Sequence, residues 1–78
     1  MKPSEKLAKA LADVHARGSM TFREVADRTA EGYSKPLDHS LVHRIVRGEV
    51  KPPLDTLVQL CAGYRVTLRE VLERAGLI

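Results

Sequence analysis

His39 and His43 stand four residues apart. On a helix that spacing sets two imidazoles on one face, where they could share a metal ion, and Asp38 adjoins them. The pair lacks the Glu of a His-Glu-x-x-His pattern, and no third His or Cys lies close by, so no metal site is expected. Cys61 is the sole cysteine, which excludes an internal disulfide and a cysteine-based zinc site. Its place on an apolar helical stripe reads as core, not as a nucleophile. Glycine-rich phosphate loops are absent. What remains is a cluster of donors: His39, Ser40, His43, Arg44 and Arg47 fall within nine residues with no acid among them. Cationic, acid-free and short, this set suits a polyanion. No catalysis, small-molecule pocket or cofactor is expected.

The elements that carry these residues follow from apolar spacing. Leu7, Leu11 and Val14 recur at i, i+4, i+7 and predict a helix over residues 4–17, closed by Gly18. Lys2, Lys6, Lys9 and Asp13 fall on its wet side, and His15 reads as solvated. Thr21-Phe22-Arg23-Glu24 has the form of a capping box that opens a short second helix over 22–28. Phe22, Val25, Ala26 and Thr29 would face inward, with Met20 as a staple against Val25. Gly32, Ser34 and Pro36 break the pattern and predict an exposed loop with Tyr33 and Lys35 near its tip. Asp38 is a good N-cap for a third helix over 39–47, which buries Val42, Ile45 and Val46 and ends at Gly48. Pro53 fits the first turn of a fourth helix over 54–63, and Tyr64 reads as core with a wet hydroxyl. Thr67-Leu68-Arg69-Glu70 is a second capping box, opening a fifth helix through Ala75.

The expected fold is therefore all-α, a five-helix bundle in a single domain spanning 1–78. Two short helices in succession, the second greasy behind and cationic in front, describe a helix-turn-helix. The major groove of duplex DNA admits one α-helix whose first turns meet the base edges.

From Thr21 to Leu72 the chain resembles the Cro and phage-repressor helix-turn-helix family, often called the XRE family. The matching residues are Thr21-Phe22-Arg23-Glu24-Val25-Ala26, then Val42-His43-Arg44-Ile45-Val46-Arg47-Gly48. Lys51-Pro52-Pro53-Leu54-Asp55-Thr56-Leu57 and Val66-Thr67-Leu68 follow. The turn before the third helix departs from the family: residues 29–37 run several longer, and Val46 stands where the family often has Glu. The extra residues 31–36 either touch phosphate or shift the third helix relative to the second.

The resemblance implies sequence-specific binding to double-stranded DNA by a transcriptional repressor. His39, Ser40 and Arg44 fall at its base-reading positions, with His43 adjacent. Thr21, Phe22 and Arg23 fall where the family holds a phosphate at the start of helix two, and Arg47 and Lys51 suit the flanking backbone, with Lys35 in the loop. The resemblance also implies a homodimer on a palindromic operator, and Leu72, Leu77 and Ile78 are the candidate dimer face. The context would be bacterial or phage-encoded, cytoplasmic and nucleoid-associated.

Composition sets the remaining bounds. Lys and Arg number 13 against 10 Asp and Glu, a net charge of +3 that leans toward a polyanionic partner. Aromatics are only 4% of the chain, which argues against base-stacking platforms for single strands. No apolar run approaches the roughly 20 residues of a bilayer span, and no signal peptide is read at the start. The competing reading is a protein-interaction module, such as an antitoxin or a co-regulator, that binds a protein partner through its helical surface.

Overall fold

The computed structural model describes residues 2–33 and 35–78; Met1 and the expected turn former Ser34 lie outside the described residues. Five helices follow in order: α1 (Pro3–Arg17), α2 (Phe22–Arg28), α3 (His39–Val46), α4 (Leu54–Tyr64) and α5 (Leu68–Arg74). Among the described residues there is no strand. The all-α architecture is the expected one.

Helix starts follow the capping chemistry. At α2, Glu24 N donates to Thr21 Oγ1 and Thr21 N donates to Glu24 Oε1, both at 3.1 Å. The two Thr21 groups hold the Glu24 carboxyl below its usual range, the backbone donor contributing most. Thr67 and Glu70 repeat the arrangement at α5. At α3, Ser40 N donates to Asp38 Oδ1 at 2.9 Å. α1 begins at Pro3, one residue earlier than expected, because a missing N–H costs nothing in a first turn. Pro53 is the N-cap of α4 and not part of its first turn. Arg47 is the C-cap of α3, so that helix ends one residue short of the expected bound. Gly48 then takes φ 81°, which lets Glu49 N reach back to Arg44 O at 2.9 Å.

The core forms from the expected stripes except on α4. There the spacing predicts Leu54, Leu57, Val58, Cys61 and Tyr64, but Leu54 and Val58 are exposed and Leu60 is buried instead. Leu11, Val25, Val42, Ile45, Leu60 and Val71 are fully buried, one or two from each helix. α3 packs on α1 and α2, α4 on α2 and α5, and α5 on α1. The radius of gyration is 11.2 Å, against about 11.5 Å for a close-packed domain of this length. α2 and α4 meet at Gly63, where a β-carbon would stand 2.7 Å from Thr29 Cγ2 and 2.9 Å from Val25 O. Only glycine permits that approach.

Three expectations about the surface are corrected. Asp13 is not merely solvated: Arg74 Nη1 lies 2.8 Å and Arg17 Nε 3.2 Å from its Oδ2, tying α1 to α5. Lys6 is half-buried. His15 is half-buried and bonded, because it follows Leu11 by four residues and turns with the apolar face. The chain end also folds back: Leu77 N donates to Leu72 O at 2.9 Å, and the Leu77 side chain packs on the core. No helix is long and apolar enough to cross a membrane among the described residues.

Candidate nucleic-acid interface

α3 alternates its two duties at helical spacing. Val42, Ile45 and Val46 are buried, and Leu41 is half-buried against the core. His39, Ser40, His43 and Arg44 are all exposed. Every residue expected to read bases therefore lies on the outward side of α3, and the helix itself contains no acid. Asp38 sits at its tip, with Oδ1 3.7 Å from His39 Nδ1. Arg44 makes no ion pair among the described residues, so its guanidinium is not committed to a neighbouring carboxylate.

The residues expected to touch phosphate fare unequally. Arg23, Lys35 and Lys51 are exposed and make no ion pair among the described residues. Arg47 is exposed but pairs loosely with Glu49, at 3.5 Å. Thr21 spends its hydroxyl and its amide on Glu24. An anion at this end of α2 would therefore meet the Phe22 and Arg23 amides, the usual unpaired donors of a first turn, beside a carboxylate. Phe22 itself is half-buried by its ring, which lies against two histidines.

That ring belongs to a column that crosses four helices. The Tyr64 hydroxyl of α4 and His15 Nδ1 of α1 are 2.8 Å apart and share one hydrogen. The hydroxyl expected to be wet is thus bonded inside the protein. The His15 ring stacks on Phe22 of α2 with centroids 3.9 Å apart and planes 6° from parallel. Phe22 then meets His43 of α3 at 4.7 Å and 39°. Burial lowers the His15 pKa from its ordinary 6.5, and a charge on His43 lowers it further. Burial also pushes the Tyr64 phenol well above its ordinary range.

The long connection between α2 and α3 is fastened at both ends. Thr29 is fully buried; its hydroxyl donates to Ala26 O and accepts from Leu37 N at 2.7 Å. Gln59 Nε2 of α4 donates to Thr29 O at 2.9 Å and to Lys35 O at 2.7 Å, using both amide hydrogens. These bonds set where the chain re-enters the core before α3. Gln59, Gly63 and the His15–Tyr64 pair were not singled out as functional by sequence reasoning. His15 and Tyr64 do carry a signal, since each sits on an apolar stripe with a polar tip that needs a partner.

Cys61 is buried, and burial, aided by the Glu70 charge, pushes its thiol up to about 11, so it stays protonated and unreactive. Among the described residues no cluster of three or more metal-ligating side chains occurs. Of the candidate dimer face, Leu72 and Leu77 are half-buried and Ile78 is exposed. A separate apolar patch lies where Tyr33, Leu54 and Val58 are exposed around one shallow concavity with Asp55 and Gln59. Family models, curated proteins and solved structures yield no match to this chain.

Proposed function

We propose that this chain is a sequence-specific double-stranded DNA-binding protein of the repressor helix-turn-helix type, with α3 as the helix that enters the major groove. One observation carries the reading: a helix buried along Val42, Ile45 and Val46 presents His39, Ser40, His43 and Arg44 together on its free side. A groove-reading helix needs that division, because its back must hold firm while its front offers donors between rows of phosphate. The net charge of +3 favours the same partner. Arg44 suits guanine O6 and N7, a contact worth about 1–3 kcal/mol of discrimination. Arg23, Lys35, Arg47 and Lys51 supply the sequence-independent attraction to phosphate. A homodimer would present two such helices to half-sites about 34–36 Å apart. The regulator would act as a repressor by covering a promoter.

Selection from a random duplex library tests this directly. A recovered motif, with two-fold symmetry if the active form is a dimer, supports the reading. Arg44→Ala should then relax one base position. Lys51→Ala should weaken all sequences alike and reduce the log–log salt slope by about 1. Failure to enrich any duplex sequence ends the proposal.

A second reading rests on the Tyr33, Leu54 and Val58 patch, which gives a protein partner such as a toxin or a co-regulator an apolar foothold. Leu54 is 65% and Val58 39% exposed, although both fall on the apolar stripe expected of α4. Binding that is insensitive to salt and indifferent to duplex DNA would favour this second reading over the first.

A further inference from the structure

We propose that Phe22 and His15 are positioning residues for His43, which they hold in one orientation on the outward face of α3 and so make a determinant of base preference. The inference rests on the DNA-binding reading of α3. It extends that reading inward, to residues that would touch no base.

The column grades from core to surface. Tyr64 is buried, His15 and Phe22 are half-buried, and His43 is exposed. Each contact constrains the next. The hydrogen shared between Tyr64 and Nδ1 fixes the plane of the His15 ring. That plane lies within 6° of the Phe22 ring at 3.9 Å, so Phe22 has a flat support on one side. Its other neighbour is the His43 imidazole, 4.7 Å away and tilted by 39°. Aromatic rings at such separations attract each other in preferred orientations.

The column matters because of where it ends. Arg44, the next residue, makes no ion pair among the described residues and would be ordered only by its target. His43 meets a ring from the neighbouring helix before any ligand arrives. A side chain ordered beforehand loses less freedom on binding and tolerates fewer geometries. The base pair facing His43 should therefore be read more strictly than an unsupported exposed imidazole would read it. The anchoring is also independent of the α3 backbone, since Tyr64, His15 and Phe22 come from three other helices.

Two readouts test the proposal on the full chain. In the free protein, with both imidazoles neutral, the His43 ring protons should be displaced by the Phe22 ring current. Phe22→Leu keeps apolar bulk and removes the ring, so those resonances should return toward ordinary histidine values. Phe22→Tyr should restore them. In duplex selection, Phe22→Leu should lower the preference at one base pair by about two- to tenfold, the range of an aromatic pair. It should leave the position read by Arg44 unchanged, and Phe22→Tyr should again restore the wild-type pattern. If Phe22→Leu fails to fold, His15→Gln removes the stacked support behind Phe22 while leaving its ring. The loosened ring should shift the His43 resonances part of the way toward ordinary values and weaken the same base preference.

Unchanged His43 resonances would show that the column does not order the imidazole, and would overturn the proposal. Changed resonances with an unchanged motif would overturn its role in recognition. A wild-type chain that selects no motif overturns both this role and the DNA-binding reading, while the resonances still report separately on the column.

Discussion

Arg65 ends α4 with φ 61° and ψ 36°, a left-handed conformation that crowds its β-carbon against the following carbonyl. The hydrogen bonds around it match those at Gly48: Val66 N reaches Cys61 O and Arg65 N reaches Ala62 O, both at 3.0 Å. Arginine thus fills a place made for glycine. Its 3.7 Å contact with Glu31 joins two largely exposed side chains and adds little. Arg65→Gly should stabilise the fold by about 0.5–1 kcal/mol, read as a rise of a few degrees in Tm. A lower Tm would refute this account. Gly63 gives the opposite case. Gly63→Ala drives a methyl toward Val25 O, which cannot yield, and should cost about 1–3 kcal/mol in urea unfolding. Spacing along the chain made Val25, Ala26 and Thr29 legible as an inward face. It also carried a hint for His15, four residues beyond Leu11. The contacts of Gly63 with Thr29 and of His15 with Tyr64 were not legible, because each joins residues far apart in sequence.

Between elements, the decisive joint is the connection from α2 to α3. Its length was plain in the sequence; its fastening was not. Gln59 lies on α4, 30 residues from Thr29, and nothing local announces that its amide spans the carbonyls of Thr29 and Lys35. Gln59→Leu removes both donors while keeping similar bulk. It should cost about 1–2 kcal/mol in urea unfolding and speed hydrogen exchange at the Leu37 amide. Unchanged exchange at Leu37 would mean that the Thr29 hydroxyl alone holds the joint. The helix starts were the most legible feature, since Thr21 with Glu24, Asp38, and Thr67 with Glu70 satisfy their own backbone neighbours. The ends drifted by a residue, as at Arg47 and Tyr64, because the last turn is set by the chain that follows.

For the molecule as a whole, the order of five helices followed from capping residues and apolar periodicity together. So did their buried stripes, except on α4, where Leu60 is buried while Leu54 and Val58 face outward. The outward placement of His39, Ser40, His43 and Arg44 followed from the same pattern read in reverse. The column beneath His43 has a global consequence for acid stability. Burial and the His43 charge hold the folded His15 pKa below 6.5, while in the unfolded chain it titrates near its ordinary value. The unfolded state therefore binds more protons as pH falls, and folding loses stability below about pH 6.5, most steeply until the folded group also titrates. Above that pH the contribution is complete. His15→Gln should flatten the profile of urea midpoint against pH in this window. A wild-type profile already flat there would rule out the linkage.

The paired fastening by Thr29 and Gln59 has one further effect. It mechanically insulates α3 from whatever the tip of the preceding connection carries. A foreign epitope or a fluorescent tag spliced between Gly32 and Tyr33 would hang as an appendage, its tug absorbed at the two shoulders. The same insulation leaves that tip open to drift in length and composition while the face beside it stays in register.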